Sequence, residues 1–166
     1  AVGRLTPLKG IDTFLRALAL LKNRGETGWR FVIVGDGPQR RELERLAATL
    51  GISSSVEFAG YREDIEERLL RCRCYVLPSL SEGMGLTLML AVKMGVPVLA
   101  SDLPAVRELA IDGTKLLSPA NPAAWADALQ RLLAGEPGAA PQFDAKVLLT
   151  ESGMVSKVLA TYNRLL

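Results

Sequence analysis

Cys74-Tyr75-Val76-Leu77-Pro78-Ser79-Leu80-Ser81-Glu82-Gly83-Met84-Gly85-Leu86 is the stretch whose reading decides the fold. Its first half is a compact apolar run that predicts a buried strand. Its second half passes two glycines into the apolar segment Leu86 to Met94, which Gly95 ends and Pro97 prevents from continuing. Strand, glycine loop and helix in that order set free backbone N–H groups and the positive end of a helix dipole against an anion. Gly83 and Gly85 would let a phosphate approach the backbone, because no Cβ stands in the way. Glu82 adds one carboxylate at the same loop.

Outward from this loop the same alternation repeats. Toward the amino end, Ala1 to Leu5 reads as the tail of a strand, and Lys9-Gly10 closes the loop after it. Ile11 to Asn23 carries apolar residues at helical spacing, with Asp12 or Thr13 expected to help cap it. Phe31 to Val34 is a continuous apolar strand, and Leu43, Leu46, Ala47 and Leu50 mark a helix stopped by Gly51. Val56 to Ala59 is a short strand and Ile65 to Arg71 a short helix.

Toward the carboxyl end, Val98 to Ala100 is a strand, Pro104 begins a helix through Leu109, and Leu116-Leu117 is an edge strand. A helix starts after Asn121-Pro122, Gly135 to Pro141 is a connector, and Phe143 to Leu166 is mostly helical. Uninterrupted apolar strands alternating with helices predict one α/β domain over 1–166, with a Rossmann-like, doubly wound parallel sheet. Ligands of such sheets bind beyond the carboxyl ends of the strands, near a topological switch point. The chain opens on Ala1 in strand-like sequence, which predicts a piece of a longer protein.

Composition narrows the function. The 166 residues are 49% hydrophobic, enough for a folded domain. No apolar run approaches the ~20 residues of a transmembrane segment. The net charge is +2, with cations spread among acids, so nucleic acid is not expected as a partner. There is no histidine, which removes Ser-His and Cys-His nucleophile pairs. Cys72 and Cys74, in or near a strand, are expected to form no disulfide and to stay reduced, as in a cytoplasmic protein. They leave too few soft ligands for a structural zinc.

Arg4 and Lys9 share the loop after the first strand and could clamp a diphosphate. On spacing alone, ordinary surface charges are the better reading. Gly35-Asp36-Gly37 lacks the third glycine of a dinucleotide fingerprint, because position 40 is arginine, and reads as a tight turn. Glu82 could be catalytic, bind a sugar hydroxyl or be a solvated loop residue. No second carboxylate stands with it, so a paired-acid hydrolase is not supported. Acids from Asp102 to Glu108 read as caps or surface groups, while Trp125, Met84, Met89 and Met94 read as core.

Several motifs in order resemble family 4 of the retaining glycosyltransferases, in its carboxy-terminal, nucleotide-sugar-binding half. They are Val2-Gly3-Arg4-Leu5 with Lys9-Gly10; Val34-Gly35-Asp36-Gly37-Pro38; Pro78-Ser79 with Ser81-Glu82-Gly83-Met84-Gly85-Leu86; and Gly95-Val96-Pro97-Val98. Pro104-Ala105-Val106-Arg107-Glu108-Leu109 and Ile111-Asp112-Gly113 continue the match. The resemblance implies one half of a GT-B fold, with the amino-terminal acceptor domain absent from this chain. It implies sugar transfer from a nucleoside diphosphate sugar with retention, in polysaccharide or glycoconjugate synthesis, needing no metal and no cofactor.

By the same resemblance, Arg4 and Lys9 neutralise the donor diphosphate, and amides around Gly83, Gly85 and Leu86 bind it. Glu82 touches the transferred sugar, and Gly60 and Tyr61 lie near the nucleobase. The fragment alone would be inactive, and the full-length protein could touch a membrane peripherally. The family places a second glutamate eight positions after the first, where it holds the ribose diol; here that position is Leu90. Its loss should cost about 1.5–3 kcal/mol, or one to two decades of affinity. Lys93 stands where a small residue is usual, and the glycine expected after Asp112-Gly113 is absent. The rival reading is a degenerate, non-catalytic domain serving as scaffold or interaction module. A sugar-nucleotide epimerase is disfavoured, since it would want acids and histidines not present.

Overall fold

The computed structural model describes residues 1–83, 85–109 and 114–135. Five strands alternate with six helices along them: α1 Ile11–Asn23, β1 Phe31–Val34, α2 Arg40–Thr49, β2 Val56–Gly60, α3 Ile65–Arg71, β3 Tyr75–Leu77, α4 Leu86–Lys93, β4 Val98–Ser101, α5 Pro104–Leu109, β5 Lys115–Leu117 and α6 Pro122–Ala134. All strand pairings between them are parallel. The connector beyond Gly135, the helix expected over 143–166, Met84 and Ile111-Asp112-Gly113 lie outside the described residues.

Backbone hydrogen bonds join the strands as two sheets, β1–β2 and β3–β4–β5, where the sequence predicts one. The reason lies in Ala1–Gly3. This segment bonds to β1 alone, with Gly3 N donating to Val34 O and Val34 N to Ala1 O, both at 2.9 Å. On its other side it faces Val76–Ser79 across a small cavity. The chain leaves Ala1–Gly3 toward β1 and β2 but leaves β3 in the opposite direction, toward β4 and β5. Between these two segments lies the switch point at which doubly wound sheets bind ligands.

Side chains alternate across the strands into two cores. Phe31, Ile33, Val56, Val76, Leu99 and Leu117 face α1, α2 and α6. Tyr75, Leu77, Val98 and Ala100 face α3, α4 and α5. Helices therefore cover both faces, and that is why β3 and β4 are buried along their whole length. Trp125 is fully buried as its helical spacing predicts, edge-on to Phe14 at 5.5 Å, and Phe14 meets Phe31 at 4.6 Å. Cys72 packs against the second core and Cys74 against the first, so the two thiols diverge and both are free. Burial pushes the Cys74 thiol up to about 12.

Helix ends follow local chemistry with one correction. Asn121 accepts from Ala124 N at 3.2 Å, Pro122 fills the first turn of α6, and Gly135 closes that helix in the left-handed region. Neither Asp12 nor Thr13 caps α1. Gly10 holds the cap position at φ 59°, without any side-chain bond. The reason is packing: a Cβ on Gly10 would overlap the carbonyl of Pro78, so only glycine lets α1 begin against the end of β3.

Candidate functional site

Two loops meet at the switch point. The first, after Ala1–Gly3, contains Arg4, buried Leu5 and a single 3-10 turn, Pro7–Lys9. The second follows β3 from Pro78 to Gly85. Leu80 N donates to Leu8 O at 2.8 Å, and Ser81 N reaches the same carbonyl at 3.4 Å, so backbone ties one loop to the other. Gly10 seated on Pro78 adds a second tie.

Across this junction the Lys9 ammonium reaches Glu82 Oε1 at 2.6 Å. A Cβ on Gly3 would come within 3.4 Å of Lys9 Cε, so the bare glycine leaves that stem its path. Ser79, fully buried, donates from Oγ to the same Glu82 oxygen at 2.7 Å. The Glu82 side chain is only 8% exposed, the Lys9 side chain 26%. Two donors on one nearly buried carboxylate satisfy a charge that burial would otherwise penalise. Burial pushes the Tyr75 phenol well above its usual range, and the Glu82 charge pushes it the same way, whereas a Thr87 hydrogen bond pulls it down.

Glu82 is thus not a solvated loop residue. It is also not free to face a ligand with Oε1, which is shared between Lys9 and Ser79. Beside it, Gly85 caps α4 in the left-handed region at φ 56°, with no side-chain cap and no acid in the first turn. Among the described residues, no side-chain hydrogen bond caps the amino end of α4, where N–H groups and the positive dipole end gather. A Cβ on Gly83 would meet nothing within 4 Å. Leu86, the first residue of α4, is 69% exposed.

The other expected site residues divide clearly. Arg4 is exposed in the Lys9 loop and makes no ion pair with a described residue. Gly60 ends β2 with φ 69°, and Tyr61 after it is 77% exposed. They stand at the carboxyl end of β2, where Gly60 pairs with Gly35. Behind them Arg40 donates to Phe58 O at 3.1 Å and to Asp36 Oδ2 at 2.9 Å, bracing the β2 end against the β1 loop. Leu90 lies on α4, half-buried against the second core. Asp102 is a surface group paired with Arg107, the guanidinium holding its carboxyl below the usual range.

Ser79 is the residue that sequence reasoning left without a role. Its signal was present as Ser79-x-x-Glu82, the spacing of a helix capping box. In the folded chain, side chain meets side chain instead of backbone. Among the described residues no three Cys, Asp or Glu side chains gather as a metal site would require. No described helix is long and apolar enough to cross a membrane. A cavity of about 630 Å3 opens elsewhere, among Ala1, Trp29, Arg68, Cys72 and Leu133, and includes none of these site residues.

Comparison with known proteins gives this geometry its context. The family model described as glycosyl transferases group 1 matches residues 1–135. The chain is 35% identical over 136 residues to an alpha-D-kanosaminyltransferase of Streptomyces kanamyceticus, covering 80% of this chain and 35% of that protein. It is 40% identical over 145 residues to a D-inositol 3-phosphate glycosyltransferase of Nocardia farcinica, covering 80% and 32%. The chain thus spans about a third of the length of these curated relatives. Among solved structures, Anabaena HepE in complex with UDP superposes with a TM-score of 0.75 at 25% identity, over 84% of this chain and 40% of that one. The doubly wound sheet is accordingly the Rossmann-like half of a GT-B fold, and the chain belongs to the group 1 glycosyl transferases.

Proposed function

We propose that this chain is the donor-binding half of a cytoplasmic enzyme that moves a sugar from a nucleoside diphosphate sugar to an acceptor, with retention, in polysaccharide or glycoconjugate synthesis. The observation that carries the reading is the Lys9 ammonium held by Glu82 at an open glycine loop, beside the uncapped amino end of α4. The named activities of the relatives and the UDP in the HepE structure support it.

In this reading the bond between the anomeric carbon and the diphosphate oxygen breaks, the acceptor hydroxyl oxygen bonds to that carbon on the same face, and the hydroxyl proton passes to the departing diphosphate. Charge develops on the departing diphosphate. Lys9 and Arg4 meet it as cations, and the Gly85 and Leu86 amides meet it as dipoles, so no metal is required. Glu82 uses the carboxylate edge not taken by Lys9 to contact the sugar. Tyr61, exposed after Gly60, lies against the nucleobase. The acceptor comes from a facing domain, without which this chain is inactive.

Calorimetry with UDP, GDP and ADP tests the proposal. One of the three should bind saturably, and Arg4→Ala and Lys9→Ala should each weaken it by one to two decades. Absence of binding by all three in folded protein sinks the donor reading. It would favour the second reading, a scaffold domain, whose support is Leu90, half-buried against the second core, where the family carries a ribose-binding glutamate.

A further inference from the structure

Ser79 and Ser101 are the buried polar residues of the described chain, and they differ in one respect. Ser101 Oγ has no hydrogen-bond partner, whereas Ser79 Oγ donates to Glu82 Oε1 at 2.7 Å. The accepting oxygen is the one that Lys9 Nζ reaches at 2.6 Å. A continuous polar relay thus runs from the end of β3 through Glu82 to the turn that precedes α1.

We propose that Ser79 is a positioning residue for donor binding: its hydroxyl fixes the Glu82 carboxylate, and through it aims the Lys9 ammonium at the diphosphate. The inference rests on the donor-binding reading above. Lysine is a compact point charge on a flexible four-carbon stem, so its aim depends on what holds it. An ammonium has three N–H donors. Glu82 takes one, leaving two for phosphate oxygens. A carboxylate with one donor could swing to a second rotamer and release Lys9 to solvent, and the bond from Ser79 removes that freedom. The Ser79 proton is spent on Glu82 and the residue is fully buried, so it acts on the ligand through Glu82.

The test is a double-mutant cycle read by calorimetry on the 166-residue chain, with whichever of UDP, GDP and ADP binds most tightly. Ser79→Ala should weaken binding about 3- to 10-fold in the Lys9 protein and change nothing further in Lys9→Met. Ser79→Cys, which fills the same space with a poor donor, should weaken binding like alanine and fold normally. The inference is overturned if Ser79→Ala or Ser79→Cys binds as tightly as the parent. It is also overturned if the full Ser79→Ala effect persists beside Lys9→Met, since the serine would then act by another route. Binding that ignores Ser79 but needs Lys9 removes this inference alone; no binding by the parent chain removes the donor reading with it.

Discussion

Two glycine loops leave the carboxyl ends of strands β1 and β3, and their glycines meet different surroundings. After β1, Gly35 sits at φ 125° and a Cβ on it would overlap the Gly3 carbonyl. A Cβ on Gly37 would overlap the backbone of Leu5. Leu5 N donates to Asp36 O and Gln39 N to Leu5 O, at 2.9 and 3.1 Å, so the loop is zipped to the chain itself. After β3, a Cβ on Gly83 would meet open space. The first loop uses glycine to let protein approach protein. In the second, no described residue crowds Gly83, and only Gly85, at φ 56° with Leu109 Cδ1 3.3 Å from a would-be Cβ, is held to glycine by the protein.

The largest expected effect breaks the first loop. Gly35→Ala adds backbone strain and overlap, costing about 3 kcal/mol and lowering Tm by more than 5 °C in thermal unfolding. An unchanged Tm would show that the two loops do not differ as described. Next comes Leu90→Glu, which restores a carboxylate on α4 and should tighten nucleoside diphosphate binding about tenfold by calorimetry. Unchanged affinity in a stable variant would mean that α4 does not present position 90 to the ribose. Gly83→Ala sharpens the contrast from the other side, since stability should move by less than about 0.5 kcal/mol while ligand affinity falls.

The smallest effect is acidic. Asp64, beyond Tyr61 and partly exposed, is held at about 2 by hydrogen bonds from Arg62 and then Arg68. Its folded value lies below its unfolded one, so its contribution is present above about pH 4 and fades as pH falls through about 2. A carboxylate NMR titration should find that midpoint, and Arg62→Ala should raise it.

Much of the fold was legible because its signals are local. Phe31–Val34 and Tyr75–Leu77 are too apolar for any place but a covered sheet, and Asn121-Pro122 announces α6. The cap of α1 was misread because Asp12 and Thr13 have cap chemistry, whereas Gly10 was required by contact with Pro78, 68 positions away along the chain. The candidate site was legible in part. Glu82 and Lys9 were each singled out, but their 2.6 Å pairing was not, and Ser79 was passed over. Residues 73 positions apart carry no mark in sequence that they will touch.

Alternating apolar runs and glycine punctuation by themselves determined a parallel α/β domain with a glycine loop between β3 and α4, because period and turn chemistry act over a few residues. Tertiary structure alone decided which charges are neighbours. It turned Glu82 from an isolated loop acid into the partner of Lys9, and Leu90 from a missing carboxylate into a packed side chain. Electrostatic energy depends on separation through space and on burial, and both are set only when distant segments close on one another.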